Sequence, residues 1–586
     1  MKIRFRNIMI LLVLFVGGSS CDSFLDVQPK GEVLEGDLLK DAKGFENALY
    51  GVYAKMGSTN LYGQNLSYSA LDLMAQYYTS TNNEEVEPLI KYDYKNTKAE
   101  DLFYNIWCDM YSNIAYANNV LEHLEKFSPA DMQFYNIYKG EVLEGDLLKD
   151  AKGFENALYG VYAKMGTAGL YGQNLSYYAL DLMAQYYTSA NNEEAEPLIQ
   201  YDYKSTKVED RFYNIWCEMY SNIAYANNVL EHLEHFSPSD MQFYNIYKGE
   251  ALGVRGFMHF DLLRIFSEQV TENEGADGIP YSTRFSLFAP DVLKAKDVYK
   301  RIISDLKSAE QLLDDEELYA SASSNANFLK DQNIHFNLQA VQATLARVYL
   351  TEGVLDSALY YAQRVMQSPG LSLLDYTEIA GDMAGKLSSK ETVFGIYSKS
   401  FADPVIKILH NSQTAYSLEM RYNIQQLYQV DGTGNDYRWS AWYTYNDVAK
   451  DWKLDKLTDS YVLNNNEYSR PAGQIRGINM IRLSEMYYIA AECALKLGHY
   501  DQALDYFNEL LESRGLVALD ERTPAETLTI DKITDDRYKE FVGEGQSFYH
   551  MKRLNLDILN VEGKIIPADK KVYVVDIPSQ EFEFRR

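Results

Sequence analysis

Apolar residues recur at spacings of three and four along most of this chain. The spacing is plain in GFENALYGVYAKM, in EDRFYNIWCEMYSNIAYANNVLEHLEHF and in DVYKRIISDLKSAEQLL. Residues at these spacings share one face of an α-helix, so each stretch predicts a helix with a buried side. The pattern as a whole predicts an all-α dominated chain in which successive helices stack as a solenoid.

Two pairs of predicted helices carry small residues at the spacing of a tetratricopeptide unit. Ala346, Gly353 and Ala358 mark the first pair, and Gly498 and Ala503 belong to the second. Small side chains let two antiparallel helices approach closely, and glycine makes the tight turn between them. The fold class that we predict is a tetratricopeptide-containing helical superhelix with loop-rich and minor β insertions.

The segment 370–477 has a different character. Gly, Asn, Asp and Ser cluster there, helical periodicity fades, and short pieces such as ETVFGIY favour strands. Binding residues often lie on irregular loops that a rigid scaffold holds in place. We therefore predict that this segment forms a ligand face.

Residues 31–139 and 140–248 are nearly the same sequence, offset by 109 positions. They differ at thirteen scattered positions, among them Ser69 against Tyr178 and Leu102 against Arg211. Scattered differences indicate an in-frame duplication that has begun to diverge. The chain without the extra copy has about 477 residues.

A long predicted helix follows the second copy and is cut short in the first. Ser237 and Pro238 form a cap and first-turn pair, and FYNIYKGEALGVRGFMHFDLLRIF then carries apolar residues along one face. In the first copy, FYNIYKGE instead continues into the polar sequence VLEGDLLKDAKGF. We predict that 140–248 holds the native position and that 31–139 is an appended helical unit, with a poorly packed insert as the alternative.

The N-terminus has the pattern of an export signal. Basic residues precede the apolar run IMILLVLFVG, and small residues precede Cys21. The run is too short for a membrane-spanning helix, which needs about 20 residues. We predict a lipoprotein signal peptide over 1–20 and a tether over 21–30 that is lipidated at Cys21, with a plain secretory signal as the alternative.

Composition excludes several classes of function. A formal net charge of −29 would repel phosphate backbones, so nucleic acid is not an expected partner. His232 and His235 lie one helical turn apart, but the first copy has Lys126 in place of the second histidine. No nucleophile or phosphate-loop motif is present. We expect no catalysis, no cofactor and no metal.

Five phrases stand out between residue 21 and the C-terminus: CDSFLDVQPKGE, GEALGVRGFMHFDLLRIF, INMIRLSEMYYIAAECALKLG, DDRYKEFVGEGQSFYHMKRLN and VDIPSQEFEF. Together they resemble the SusD/RagB family of outer-membrane nutrient-binding lipoproteins. The resemblance implies a helical N-terminal and central region over 140–369 and a tetratricopeptide pair with the C-terminal region over 478–586. It also implies a SusC-like TonB-dependent barrel as the partner, over which the protein sits as a lid.

The first candidate binding segment is DYRWSAWYTYNDVAKDW, which holds three of the five Trp of the chain. Sugar rings present apolar C–H faces that stack on flat aromatics, while neighbouring polar groups bond their hydroxyls. We predict ligand contact by Arg438, Trp439, Trp442 and Tyr443. Packing of these side chains into the core is the alternative.

A second candidate segment is AQYYTSANNEE, where a predicted helix runs into a polar loop. In the family that this chain resembles, the early loop contributes to the ligand face, which implies roles for Tyr187 and Asn191. The first copy offers Tyr78 and Asn82 at the same positions. Capping of the helix end is the alternative.

These observations predict a cell-surface lipoprotein of the outer membrane that binds a nutrient oligosaccharide and delivers it to the SusC-like TonB-dependent barrel without catalysis. The alternatives are capture of peptides, as in a RagB-like lipoprotein, and a solenoid scaffold that binds other envelope proteins.

Overall fold

A computed structural model of the chain describes residues 39, 42–67, 69–76, 86–124, 148–188, 192–285, 290–314, 327–380, 386–398, 401–410, 417–429, 433–458, 475–579 and 581. The predicted signal peptide, the tether and the lipidated Cys21 lie outside these residues. So do Asn191 of the predicted ligand face, its counterpart Asn82 in the first copy, and Tyr78, which is the counterpart of Tyr187. The chain divides into two compact units, residues 1–146 and 147–586.

The first unit is helical where the structure describes it. Its helices are α1 (Ala42–Met56), α2 (Ala70–Met74), α3 (Glu87–Ile90) and α4 (Thr97–Leu124). A small core contains Ala70, Leu73 and Leu89. The side-chain amide of Asn113 in α4 donates to the backbone carbonyl of Val52 in α1 at 3.2 Å, which joins the two long helices.

The second unit is also built mainly of helices. Those described are α5 (Ala151–Met165), α6 (Ala179–Met183), α7 (Glu196–Ile199), α8 (Thr206–Leu233), α9 (Tyr244–Phe266), α10 (Ala295–Leu313), α11 (Leu338–Glu352), α12 (Leu355–Met366), α13 (Tyr376–Ala380), α14 (Ala402–Val405), α15 (Ile424–Tyr428), α16 (Tyr437–Trp442), α17 (Leu483–Lys496), α18 (Tyr500–Ser513), α19 (Ile530–Glu540), α20 (Gln546–Leu554) and α21 (Lys570–Tyr573).

Helix α9 lies at the centre of the second unit, where α5, α8 and α10 pack against it. The sequence predicts one buried face, but nearly every residue of α9 is buried because helices approach it from several sides. Glycine makes one of these approaches close, since a Cβ atom at Gly249 would lie 2.6 Å from the side chain of Leu313. Helix α9 therefore organises the core of this unit.

Helix α9 begins later than its sequence predicts. The predicted cap residues Ser237 and Pro238 lie in a turn, where the backbone N–H of Ser237 donates to the carboxylate of Asp240 at 3.1 Å. Phe243 then adopts a left-handed conformation with φ of 63°, which is incompatible with a continuous helix. The helix starts at Tyr244 for that reason.

The two predicted tetratricopeptide pairs are present. Helices α11 and α12 are joined at Gly353, and α17 and α18 at Gly498, with φ values of 87° and 83° at the two glycines. Ala346, Ala358 and Ala503 are fully buried at the helix contacts. Because α12 also packs against α17, the two pairs stack, which confirms the predicted superhelix.

Strands are short and form small sheets. Those described are β1 (Tyr187–Thr188), β2 (Asp277–Pro280), β3 (Val292–Lys294), β4 (Lys386–Leu387), β5 (Thr392–Tyr397), β6 (Glu419–Met420), β7 (Tyr443–Asn446), β8 (Asp451–Leu454), β9 (Ile475–Arg482), β10 (Ile558–Leu559) and β11 (Ile565–Ile566). The largest sheet has the order β4-β9-β5, and β1 pairs with β6, β2 with β3, β7 with β8 and β10 with β11, all antiparallel. The predicted minor β insertions are thus confirmed, mostly within 370–477.

Among the described residues, no helix is both long enough and apolar enough to span a membrane.

Candidate functional site

The Trp-rich segment folds into the short helix α16 and the hairpin formed by β7 and β8. Aromatic and β-branched residues favour these strands. The side-chain oxygen of Asn446 accepts hydrogen bonds from the backbone N–H groups of Val448 and Ala449, both at 3.0 Å, which fixes the turn. Tyr445 lies directly opposite Trp452 in this register.

Four rings of this segment form a continuous aromatic ladder, which comprises Trp439, Tyr443, Tyr445 and Trp452. Trp439 stacks on Tyr443 with ring centroids 4.9 Å apart and meets Trp452 edge-on at 4.4 Å. Trp452 in turn meets Tyr445 at 5.1 Å. Tyr443 is buried, the two Trp are half-buried, and Tyr445 is 41% exposed, so the ladder runs from the core to the surface.

Tyr443 is the floor of the aromatic ladder. Its hydroxyl lies 3.1 Å from the hydroxyl of Tyr428, which donates to the backbone carbonyl of Lys539 at 2.7 Å. Burial raises the pKa of Tyr443 well above its usual value, so the phenol is neutral at physiological pH. A neutral, hydrogen-bonded ring here gives the exposed rings above it a fixed support.

Trp442 faces away from the aromatic ladder. Its ring is buried, and the Lys456 ammonium lies 4.3 Å from the ring centroid. Both side chains line an interior cavity of about 60 Å³ together with Arg482 and Glu544. Burial lowers the pKa of Lys456 to about 8. Ligand contact by Trp442 stays a prediction, and its ring is buried at the wall of this cavity.

Arg438 is fully buried, and every N–H group of its guanidinium donates to a carboxylate. Nε and Nη2 donate to Asp436 at 2.9 and 2.8 Å, Nη1 and Nη2 donate to Asp536 at 3.3 and 2.6 Å, and Nη1 also donates to Glu540 at 3.0 Å. A guanidinium has five N–H groups, so none is left for a ligand. Contact by Arg438 stays a prediction that would require this cluster to open, and we leave it out of the proposed site.

The buried ion cluster extends from Glu540 into the rest of the unit. Arg482 and Arg514 both donate to Glu540, at 2.6 and 2.8 Å, and both also bind Glu391. Burial alone would raise the pKa of Glu540, but Arg514, Arg482 and Arg438 hold it well below its usual range. The cluster joins segments far apart in sequence directly behind the aromatic ladder.

Tyr187 lies in β1, fully buried, opposite Met420 of β6. Strand β6 packs beside β8, so the early segment and the aromatic ladder share one region of the fold. Burial and then the nearby carboxyl of Asp181 and hydroxyl of Tyr443 raise the pKa of Tyr187 well above its usual value. Its hydroxyl has no hydrogen-bond partner among the residues described. The structure thus brings Tyr187 close to Tyr443 but beneath the surface.

Two residues of the aromatic ladder are missing from the sequence-based prediction. Trp452 and Tyr445 supply its outer rings, whereas the prediction stopped at Tyr443. The alternation of side chains along a strand places Tyr443 and Tyr445 on one face of β7, and the hairpin brings Trp452 onto that face. Predicting the place of Trp452 from the sequence requires knowing where the turn lies.

His232 and His235 lie one turn apart at the C-terminal end of α8. The ring centroids are 6.3 Å apart, and Nδ1 of His232 lies 2.9 Å from the backbone carbonyl of Asn228. Over the described ranges, no three or more His, Cys, Asp or Glu side chains gather as a metal site would require.

Comparison with known proteins bears on this site and on the whole fold. A family model described as starch-binding and associating with the outer membrane matches residues 154–350, and the SusD family model matches residues 388–579. SusD-like protein P38 of Formosa agariphila is 22% identical over 453 residues, which cover 67% of this chain and 83% of that protein.

Solved structures agree with the family models. A SusD superfamily protein from Bacteroides thetaiotaomicron is 25% identical with a TM-score of 0.59, covering 73% of this chain and 97% of its own. Surface glycan-binding protein A from the same species is 17% identical with a TM-score of 0.55, covering 75% of this chain and 98% of its own. The two family models together span about two thirds of the sequence, and this chain belongs to the SusD/RagB family.

Proposed function

We propose that this protein binds a nutrient oligosaccharide at the cell surface and delivers it, unchanged, to a SusC-like TonB-dependent barrel in the outer membrane. The observation that carries the proposal is the aromatic ladder. Three of its rings, those of Trp439, Tyr445 and Trp452, stay partly exposed although they are large and mainly apolar.

Partly exposed rings of this kind suit sugar. The C–H faces of a pyranose stack on an indole or phenol ring, and the hydroxyls remain free to bond polar groups at the rim. The hairpin turn that follows β7 exposes Asp447 and Lys450, and charged side chains of this kind can bond such hydroxyls. A linear oligosaccharide lying along the ladder would meet an apolar surface first and polar groups at its end.

The rigid support of the aromatic ladder favours binding. A surface that is already in its binding conformation loses less conformational entropy when a ligand arrives. Tyr443 is held by Tyr428, and the Arg438 cluster fixes α16 from behind. The carboxylate of Asp451, at the end of β8 opposite Asn446, is paired with the ammonium of Lys453 at 2.7 Å.

The cellular part of the proposal rests on the family and on the N-terminal sequence. Lipidation of Cys21 would anchor the chain to the outer membrane, with which the matching family model is associated. The SusC-like barrel is the partner that this family implies. Co-purification from membranes tests this part, since recovery of a large TonB-dependent barrel is expected and a partner set without one would contradict it.

Isothermal titration tests the binding itself. The chain lacking residues 1–21 is titrated with a panel of neutral oligosaccharides and a panel of peptides. We expect saturable binding of at least one oligosaccharide, weakened about tenfold or more by Trp439→Ala and by Trp452→Ala, because central aromatic anchors carry most of the binding free energy.

Tyr360→Ala is the matched control, since Tyr360 is an exposed aromatic residue on α12 away from the aromatic ladder. It should leave the affinity unchanged. Binding of peptides alone would reassign the cargo. If neither Trp substitution changed the affinity, the aromatic ladder would not be the binding site.

A further inference from the structure

A second buried ion cluster lies where helices α9, α11, α17 and α19 of the second unit meet. Nε of Arg347 in α11 and Nη2 of Arg537 in α19 donate to the same carboxylate oxygen of Glu485 in α17, at 2.9 and 3.0 Å. Helix α9 contributes Arg264, which is paired with Asp261. All five side chains are buried, and we call them the Glu485 cluster.

The three arginines of the cluster surround one carboxylate and one phenol. Burial alone would raise the pKa of Glu485, but Arg347, Arg537 and Arg264 hold it at about 2. The phenol is that of Tyr549 in α20, and the guanidinium carbon of Arg264 lies 3.7 Å from its ring centroid. Burial raises the pKa of Tyr549 well above its usual value, and Arg264 and Arg347 act against that shift. Both cations therefore lie near a phenol that is neutral.

The Glu485 cluster has more positive than negative charge. Its three guanidinium groups face two carboxylates, which leaves one positive charge in excess. Lys552 lies beside it, with its ammonium donating to the backbone carbonyl of Arg264 at 2.5 Å. Arg553 and Lys496 already share the neighbouring carboxylate of Glu492. A buried charge costs free energy unless an opposite charge balances it, so the excess calls for a further anion.

Four buried polar atoms around the cluster have no hydrogen-bond partner among the described residues: Nε of Arg264, Nη1 of Arg347, Nε of Arg537 and the hydroxyl oxygen of Tyr549. Buried polar groups in folded proteins are nearly always bonded to protein, water or an ion. The three guanidinium nitrogens can only donate, so their partner must accept.

An anion matches these four groups better than water does. A water molecule has two hydrogens of its own to donate, and of the four unpaired groups only the phenol of Tyr549 can accept one. An anion accepts from every donor, and a hydrogen bond between two ionised groups is about twice as strong as one between neutral groups. It would also cancel the excess positive charge.

We propose that the Glu485 cluster binds one small monovalent inorganic anion of the size of chloride, held by the unpaired N–H groups of its three arginines and by the hydroxyl of Tyr549. The anion joins α9 to the first tetratricopeptide pair and to the C-terminal helices α19 and α20. A divalent anion would exceed the single positive charge that needs balancing. The site lies outside the hairpin that carries the aromatic ladder, so it does not depend on the proposed cargo.

Thermal unfolding of the full chain tests the proposal while sodium chloride replaces sodium gluconate at constant ionic strength. Gluconate is too large for a buried site of this kind. An anion that binds only the folded chain stabilises it in proportion to the logarithm of its concentration once the site is filled. We expect the unfolding midpoint to rise by about 1 to 2 °C for each tenfold increase in chloride, and bromide to act likewise. A midpoint that does not respond to chloride would overturn the proposal.

Tyr549→Phe removes the hydroxyl and keeps the ring that Arg264 contacts. It should raise the chloride concentration at half-saturation about tenfold, because one hydrogen bond to the anion is lost. Tyr177→Phe is the matched control, since the Tyr177 hydroxyl is also buried without a partner among the described residues, but its ring meets Phe401 edge-on. It should leave the half-saturation unchanged. An equal response of the two variants would show that the anion does not lie at the Glu485 cluster.

Anomalous diffraction from crystals of the full chain grown in sodium bromide locates the anion without any substitution. We expect a bromide peak in contact with Nη1 of Arg347 and the hydroxyl of Tyr549. Density without anomalous signal at that place would mean that water satisfies these groups, and it would overturn the proposal. Bromide found only on the surface of the protein would overturn it as well.

Discussion

Residues 42–124 and 151–233 are almost the same sequence in two different surroundings. Local features are identical in both: Gln76 and Gln185 share a φ of 64°, and Tyr92 and Tyr201 have φ values of 55° and 56°. Burial differs: Tyr62 and Ile114 are about half exposed, whereas their counterparts Tyr171 and Ile223 are buried in the second copy, against which α9 packs. Local sequence therefore determines the helices, their turns and their mutual packing, while the element that follows determines which side chains belong to a core.

Some of the thirteen differences follow the surroundings. In the second copy the Arg211 guanidinium donates to Asn174 at 2.6 Å and to Glu194 at 2.7 Å, and it lies over the ring of Tyr178. In the first copy, Leu102 and Ser69 stand at the positions of Arg211 and Tyr178. Neither the ion pair nor the contact of a guanidinium with a ring can form there. When the same substitution is made at equivalent positions of the two copies, the difference between its effects on stability reports the difference between the surroundings.

The largest contrast is expected for Ile223→Asp against Ile114→Asp. A carboxylate at the fully buried position of Ile223 would lose its hydration, and we expect a loss of more than about 4 kcal/mol in the free energy of unfolding. At half-exposed Ile114 the same change should cost under about 0.5 kcal/mol. Denaturant titration of the full chain measures both, and equal losses would contradict the assigned surroundings.

A second contrast concerns pH and Asp181 of α6. Burial raises the pKa of Asp181 to about 8, although the backbone N–H groups of Gly543 and Gly545 donate to it at 2.6 and 3.2 Å. An aspartate of the unfolded chain titrates near 4, so between about pH 4 and pH 8 unfolding releases a proton and stability falls as pH rises.

Asp181→Asn removes that proton release. The stability of the variant relative to the parent chain should rise with pH from about 4 to 8, by at most about 1.4 kcal/mol per pH unit. Asp72→Asn in the first copy controls for the general effect of removing one carboxylate. Urea unfolding at several pH values gives the slopes, and a relative stability that stays flat would refute the buried, protonated state of Asp181.

A smaller contrast is expected for the phenols. Tyr171→Phe removes the donor to Asp261 at 2.7 Å inside the core and should cost about 2 kcal/mol. Tyr62→Phe changes an exposed ring and should be nearly neutral. Thermal unfolding of the two variants compares them directly, and a loss for Tyr62→Phe as large as for Tyr171→Phe would contradict the exposed surroundings of the Tyr62 hydroxyl.

The smallest contrast concerns the diverged pair. Arg211→Leu should cost about 1 kcal/mol, because it removes a partly buried ion pair and the contact over Tyr178. Leu102→Arg should gain no such contact, since Ser69 offers no ring at the equivalent position, and should lose only the packing of a half-buried side chain. Equal effects in the two copies would mean that these differences arose without regard to their surroundings.

Sequence reasoning reached the helices, the tetratricopeptide pairs and the family because each depends on local spacing. The aromatic ladder follows from the sequence only in part. The aromatic density of the segment points to Trp439 and Tyr443, whereas the place of Trp452 beside them depends on the hairpin register. The prediction for Arg438 rests on its place in the Trp-rich segment, and its ion pairs do not show in the local sequence because Asp536 and Glu540 lie about a hundred residues away.

The titration of an oligosaccharide against the chain without residues 31–139 tests the central claim most directly, since this deletion joins Lys30 to Gly140 at the duplicated seam. The aromatic ladder and its support lie entirely in the second unit. We predict that the dissociation constant of the oligosaccharide equals that of the full chain and that Trp439→Ala weakens it by the same factor in both. Loss of binding on deletion would show that the first copy is part of the site and would contradict the account.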